Sequence, residues 1–167
     1  MTILDYFLDW SSRTPDAIFL RQPSGKNWRN WTWQQVREKA SYAAASLANA
    51  GLKRGDRVAT LSANCDEWII CDIAIMMGGF VSVPLYANVN SKMMQGILKD
   101  SDVRAILIGK LTEQDWQVQK SALPQNIVKV TMDGYAREGI PNWEDFIERI
   151  DFTCIPPEPD DVMTIIY

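Results

Sequence analysis

Apolar residues recur at helical spacing in some segments of the chain and run without interruption in others. Near the start, Leu4, Phe7 and Ser11 share one face, which predicts a short amphipathic helix. Two short strands, 17–22 and 28–31, then flank a turn rich in Pro, Gly and Asn. The first part of the chain is therefore predicted to be a helix followed by a hairpin.

A longer helix is bounded by two recognisable end signals. Thr32 and Gln35 have the spacing of a capping box, and an apolar stripe follows them. Gly51 followed by Leu52 is typical of a helix C-terminus with its accompanying hydrophobic contact. These signals predict a helix of about five turns between them.

From residue 58 onward, predicted strands and helices alternate. The strand 105–108 is continuously apolar, as expected when helices cover both faces of a parallel sheet. The predicted fold class is a layered α/β domain with a mainly parallel sheet, helices on both faces and a small N-terminal hairpin. The proline-containing segment 155–161 is predicted to be a stiff connector. The predicted strands are 58–62, 80–85, 105–108, 127–131 and 163–167, and the predicted helices are 67–77, 91–99, 113–123 and 143–149.

Composition limits which partners and which cellular compartment are expected for this chain. The chain has 167 residues, which suits one domain, and its net charge of −4 with scattered basic residues argues against nucleic acid as a partner. The three cysteines form no CxxC pair, so neither a disulfide framework nor a zinc site is predicted, and a reducing cytoplasm fits best.

Neither export nor membrane insertion is predicted. Asp5 and Asp9 precede every basic residue, which is the wrong charge order for a signal or transit peptide. The apolar stretch from Trp68 to Tyr86 contains Asp72 and two adjacent glycines, so it is interpreted as a buried helix leading into a buried strand. Peripheral membrane contact is possible but not indicated by any segment.

The residue types present exclude several kinds of active site. The chain has no histidine, which excludes Ser-His-Asp triads, Cys-His dyads and His-ligated metals within it. Gly25-Lys26 lacks the first glycine and the Ser or Thr of a phosphate-binding P-loop. The paired carboxylates 100/102 and 160/161 lie in polar turns, where solvated residues are the usual interpretation. No catalytic residue and no metal ligand is predicted.

Five segments, in order, resemble motifs of adenylate-forming (AMP-binding) enzymes. Trp31–Val36 is similar to the family's first core motif, and Gly55–Val58 to its Gly-Asp-Arg-Val strand. Leu61–Trp68 and Gly78–Tyr86 resemble the corresponding motifs of long-chain fatty acyl-CoA synthetases, although Cys65-Asp66 replaces an Arg-Pro and Ala87 replaces a Pro. Asp160–Tyr167 resembles the lead-in to the family's phosphate-binding loop.

The resemblance implies that residues 1–167 are the N-terminal portion of an AMP-binding domain, a partial subdomain cut just before that loop. The parent would use ATP, Mg and CoA to convert a fatty acid to acyl-CoA, while the isolated chain would be inactive and bind none of them. Gly78 and Gly79 would let a helix pack closely on the next strand. Tyr86, Ala87 and Asn88 would lie at the sheet's carboxyl edge, along the acyl or CoA passage.

Other interpretations remain open at this stage. The parent could instead be an aryl-CoA ligase or a peptide-synthetase adenylation domain. The chain could also be a free-standing, non-catalytic α/β binding module. In the synthetase interpretation, residues 162–167 should form a central buried strand, with Ile165 and Ile166 largely covered. The acyl chain length and the oligomeric state do not follow from the sequence.

Overall fold

A computed structural model describes residues 1–150, 152–158 and 160–167. Pro159, inside the predicted connector, lies outside these residues. The strands are β1 (Ile18–Ser24), β2 (Asn27–Thr32), β3 (Arg57–Leu61), β4 (Val81–Leu85), β5 (Val103–Ile108) and β6 (Val128–Thr131). The helices are α1 (Ile3–Arg13), α2 (Trp33–Asn49), α3 (Asp66–Met77), α4 (Ser91–Asp100), α5 (Glu113–Gln119) and α6 (Trp143–Phe146), with a 3₁₀ turn at Lys120–Ala122.

The sheet topology confirms the predicted fold class. β1 and β2 form an antiparallel hairpin, and the other four strands form a parallel sheet in the order β4-β3-β5-β6. The chain passes from β3 to β4 on one side and then returns to place β5 on the other side of β3. The direction of winding therefore reverses between β3 and β5.

Helices cover both faces of the sheet, because alternate strand residues enter two separate cores. On one face Val58, Ala105 and Leu107 pack with α1, α2 and α3; on the other, Ala59 and Ile106 pack with α4 and α5. Burial of both faces explains the continuous apolar strands. Among the described residues, no helix has the length and apolarity needed to cross a membrane.

Two helices end in the same backbone motif. After α2, Gly51 has a φ of 99° and the Leu52 amide donates to the Leu47 carbonyl at 3.2 Å. After α3, Gly79 has a φ of 67° and the Phe80 amide donates to the Ile75 carbonyl at 3.0 Å. These are Schellman ends, which favour glycine because other residues are strained at positive φ.

The predicted role of Gly79, close packing of α3 on the following strand, is wrong. A Cβ at Gly79 would lie 3.0 Å from Cγ2 of Ile155. Ile155 belongs to the predicted connector and not to β4. The residue is glycine because of its backbone conformation and this contact. Gly78 has an ordinary φ of −77°, and a Cβ there would collide with the Phe80 ring.

The last predicted helix is shorter than expected. The prediction extended it to residue 149, but α6 ends at Phe146 and Ile147 is extended. The next amide, that of Glu148, donates to the Ser46 hydroxyl at 2.8 Å. Asn49 also donates to the Glu148 carboxylate at 3.2 Å. Contacts with α2 therefore replace the hydrogen bonds that would continue α6.

The prediction of a central buried strand at residues 162–167 is wrong. Only Thr164 forms a β-bridge, parallel to Ser82 of β4, with two backbone hydrogen bonds of 2.9 Å on either side of it. Ile165 is half-buried, but Ile166 is 75% exposed. The segment lies outside β4, and no strand among the described residues covers its far side. Val162 and Ile166 are therefore exposed, while Ile165 packs partly against the core beneath α4 and α5.

Candidate functional site at the carboxyl edge of the sheet

The carboxyl ends of β3 to β6 meet at one edge, because these strands are parallel. In open α/β sheets, ligands bind outside this edge where the winding reverses. Here that position is between β3 and β5, and the loops that follow the two strands close it. The Ala63 amide donates to the Lys110 carbonyl at 2.8 Å, and the Lys110 amide donates to the Ser62 hydroxyl oxygen at 2.9 Å.

Close packing at Gly109 completes the closure. A Cβ at this position would lie 2.5 Å from Sδ of Met132 and 2.6 Å from Oγ of Ser62. The loops after β3, β5 and β6 are therefore in contact around one glycine. We call this cluster of Ser62, Gly109, Lys110 and Met132 the closed end. These contacts join the loops at the reversal point.

The carboxyl end of β4 differs from the closed end. Tyr86 follows the last residue of β4 and is 74% exposed, Asn88 is also exposed, and Ala87 is half-buried. We call residues 86–88 the open end. The structure thus places the three residues predicted for the acyl or CoA passage at the expected edge. Whether a ligand contacts them stays a prediction.

Gln119 of α5 fixes the backbone of the open end. Its side-chain amide donates to the carbonyls of Ala87 at 2.7 Å and Val89 at 3.0 Å. The Gln119 side chain is fully buried, and its Oε1 has no hydrogen-bond partner among the described residues. An anchored loop with exposed side chains can present a surface to a ligand without large rearrangement.

An ion pair with a buried carboxylate and a partly exposed guanidinium ties the hairpin to the start of α3. Arg29 of β2 holds Asp66 through two hydrogen bonds, of 2.7 and 2.6 Å, and the Trp31 indole donates to the same carboxylate at 2.7 Å. Burial alone would raise the pKa of Asp66, but these hydrogen bonds outweigh it and lower that pKa. Asp66 is therefore held in its charged form.

Glu67, the next residue, has its pKa shifted in the opposite direction. Its side chain is completely buried, it accepts one hydrogen bond from Lys39 at 2.8 Å, and its Oε2 is unpartnered within the described chain. Lys39 also pairs with Asp133 after β6 at 2.6 Å. Burial raises the pKa of Glu67, and Lys39 offsets this only in part. The two neighbouring carboxyls therefore differ in how firmly they hold their charge.

The cysteines and most of the paired carboxylates singled out in the sequence contact other parts of the protein. Cys65 and Cys71 are free and buried. Asp102 pairs with Arg57, and Asp161 pairs with Arg54. Asp100 accepts a hydrogen bond from the Tyr167 hydroxyl at 2.6 Å. These carboxylates therefore bind neighbouring parts of the chain rather than one another.

Comparison with known proteins decides the family. The model of the AMP-binding enzyme family matches residues 7–167. The chain belongs to this family. A long-chain-fatty-acid–CoA ligase of Homo sapiens is 28% identical over 156 residues, which is 89% of this chain and 23% of the ligase. The chain thus spans about a quarter of the length of such an AMP-binding relative.

Two further relatives of this AMP-binding chain differ in what they show. Coronafacic acid ligase from Pectobacterium brasiliense superposes with a TM-score of 0.82 at 19% identity, over all of this chain and 33% of that structure, which supports the fold alone. An uncharacterized protein of Mycobacterium tuberculosis is 26% identical over 135 residues, which is 80% of this chain and 73% of that protein. Relatives of very different lengths therefore share this segment.

The family implies ATP and magnesium, and the Ser62 hydroxyl at this edge is not free to bind either. The Ser62 hydroxyl already donates to the Ala63 carbonyl at 2.7 Å and accepts from the Lys110 amide. Within 1–150, 152–158 and 160–167, no group of three or more His, Cys, Asp or Glu side chains is placed to hold a metal. No step of the chemistry is therefore assigned to this chain.

Several residues that shape the edge escaped the sequence analysis. Gln119 belongs to a polar stretch that resembles a solvated helix face, and its contacts are 30 and 32 residues away. Asp66 was treated only as a departure from a family motif. Its partner Arg29 is 37 residues away in sequence, so no local pattern links the two.

Proposed function

We propose that this chain is the N-terminal portion of a long-chain fatty acid–CoA ligase. The complete enzyme would convert ATP, a fatty acid and CoA to acyl-CoA, AMP and pyrophosphate. The observation that carries the proposal is the 28% identity to a fatty-acid ligase across 89% of the chain, inside an AMP-binding family match. A cytoplasmic location belongs to the same proposal and is supported by the three free cysteines.

In this proposal, the chain contributes a scaffold and one wall of a substrate passage. The closed end stabilises three loops at the carboxyl edge, and the open end presents Tyr86 and Asn88 beside β4. The groups that stabilise phosphate charge would come from the rest of the parent, because the edge described above has none that fit. Fatty acid and CoA would reach the parent, not the isolated chain.

The test begins with the gene beyond Tyr167. The longest reading frame containing this chain should produce AMP and acyl-CoA from ATP, CoA and palmitate, and should prefer palmitate to benzoate or anthranilate. The 167-residue chain should show no fatty-acid-dependent exchange between ATP and pyrophosphate, because the charge-stabilising groups are elsewhere. Turnover of aryl acids alone, or exchange by the isolated chain, would contradict the proposal.

A second candidate is a free-standing, non-catalytic AMP-binding-family module. The observation that favours it is the mycobacterial relative, of which the matched segment makes up 73%. A stop codon directly after Tyr167, combined with a stable monomer that has no ligase activity, is expected for this alternative. An open reading frame that yields an active ligase would instead support the first candidate function.

A further inference from the structure

Three hydrogen bonds join the C-terminal end of α5 to the open end and the residues that follow it. The Gln119 side-chain amide donates to the carbonyls of Ala87 and Val89 at 2.7 and 3.0 Å. The Ser91 hydroxyl donates to the carbonyl of Val118, the residue before Gln119. Two adjacent residues of α5 therefore hold the segment that leads from β4 into α4.

The hydrogen bonds within this segment fix its shape but not its place. The Val89 amide donates to the Tyr86 carbonyl at 3.0 Å, which closes a four-residue turn. The Asn90 side chain accepts from the Met93 amide at 2.9 Å and caps α4. These bonds join residues close in sequence, so they move with the loop. The contacts from Gln119 are 30 and 32 residues away in sequence, so they help to set where the loop lies beside the sheet.

The amide of Gln119 contributes more to position than to stability. Its side chain is fully buried, and Oε1 has no hydrogen-bond partner among the described residues. A buried, unpartnered oxygen carries a desolvation penalty, which offsets part of what the two donated hydrogen bonds contribute. An apolar side chain of similar volume would avoid this penalty but could not hold the two carbonyls. The placement of the loop therefore explains the choice of glutamine.

The loop that Gln119 holds has its side chains on two sides. Val89 is buried in the core beneath α4 and α5, whereas Tyr86 and Asn88 are exposed. We propose that Gln119 is a positioning residue for the substrate that meets Tyr86 and Asn88 in the parent ligase. Gln119 is fully buried, so it acts through the loop backbone and not by touching the substrate. Because this role requires a ligase reaction, it rests on the proposed function.

The experiment compares the complete ligase with its Gln119→Leu and Gln119→Met variants by steady-state kinetics. No step of the chemistry is assigned to this chain, so kcat should stay within about twofold while KM for the fatty acid or for CoA rises at least about fivefold. The substrate whose KM changes is the one held at the open end. Gln119→Met keeps an unbranched side chain of similar length and serves if Gln119→Leu does not fold. Thermal unfolding identifies a variant that no longer folds.

Two comparisons separate positioning from a general loss of structure. Gln117→Leu removes an exposed hydrogen bond to Glu113 in the same helix and should leave both KM values within about twofold. Tyr86→Ala should raise the same KM as Gln119→Leu. The double variant should then be little worse than either single variant, because both changes act on one contact.

The kinetic outcomes separate this role from the proposed function. A folded Gln119 variant with unchanged KM values, or with kcat reduced at unchanged KM, overturns the positioning role alone. Effects of Gln119→Leu and Tyr86→Ala that add fully also overturn it, as does a failure of both Gln119 variants to fold. A parent that turns over no carboxylic acid contradicts the proposed function, and the positioning role with it.

Discussion

The closed and open ends of the same sheet edge differ in how their polar groups are used. At the closed end, hydrogen bonds join the loops after β3 and β5, and Gly109 leaves no space between them. At the open end, one buried glutamine holds the backbone while Tyr86 and Asn88 project outward. In this AMP-binding chain, the loops are therefore joined between β3 and β5, where α/β sheets usually bind ligands. The neighbouring position after β4 stays accessible.

The largest expected effect follows from filling the closed end. Gly109→Val would force a side chain against Met132 and Ser62, and overpacking of this kind costs about 1–3 kcal/mol, with the upper part of the range expected here. Urea unfolding measures this change in the free energy of unfolding. Gly96→Ala is the control, because it lies in α4 with open space around it and should be neutral or slightly stabilising. Equal stability of both variants would contradict tight packing at Gly109.

The ion pair beside the closed end gives the next effect, with a defined pH dependence. Asp66→Asn should cost about 1.5–3 kcal/mol at neutral pH, because it weakens charge-assisted hydrogen bonds to a buried carboxylate, although Arg29 itself is partly exposed. The folded-state pKa of Asp66 is lowered, so its contribution is present above the ordinary aspartate pKa and is lost as pH falls through the folded value. The cost of the substitution should therefore shrink below about pH 4.

Glu67→Gln is the matched control for that pH dependence. The folded-state pKa of Glu67 is raised, so the original protein gains stability as pH falls through that value towards the ordinary one. The cost of Glu67→Gln should therefore grow as pH falls towards the ordinary glutamate pKa of 4.5, at higher pH than the range in which the cost of Asp66→Asn shrinks. Urea titrations from neutral to acidic pH check both, and parallel behaviour would show that the two carboxyls share one environment.

At the open end, Gln119→Leu should have a smaller and more local effect. It removes two hydrogen bonds to the carbonyls of Ala87 and Val89, which at about 0.5–1.5 kcal/mol each gives roughly 1–2 kcal/mol after repacking. Hydrogen exchange of residues 86–90 should accelerate while the amides of β3 and β5 stay protected. Uniform acceleration across the sheet would show that Gln119 supports the whole core.

The smallest effect is expected for Tyr86→Ala. The side chain is largely exposed, so the free energy of unfolding should change by less than about 0.5 kcal/mol. In the complete ligase, the same substitution should raise KM for the fatty acid or for CoA. Asn88→Ala is the companion variant. A large loss of stability from either would mean that the open end is part of the core.

The local parts of the fold could be predicted because their signals are local. The Thr32–Gln35 capping box and the Gly51-Leu52 end are present as predicted, and the order of strands and helices after residue 57 follows from period and length. The hairpin and both faces of the sheet agree with the pattern. In each case, neighbours within about five residues determine the conformation.

What could not be predicted depends on partners distant in sequence. The apolar pattern of 162–167 indicates a strand but does not say whether a second strand covers it. The shortened α6 reflects a bond from Glu148 to Ser46, 102 residues away. Gln119 and the Arg29–Asp66 pair likewise become meaningful only once the loops meet. Residues 86–88 lie at the carboxyl edge, as expected, and their contact with a ligand stays a prediction. Their supporting residue Gln119 was not identified from the sequence.

The single bridge between Ser82 and Thr164 has a consequence for the order of assembly during translation. All four strands of the parallel sheet are made once Thr131 has been synthesised, whereas Thr164 follows 33 residues later. The fully buried members of the core beneath α4 and α5 end at Ala122. Since chains emerge N-terminus first and domains fold as units, all four strands of the sheet leave the ribosome before residues 163–165 do. These residues then join the outer edge of β4 as a late addition to a completed template.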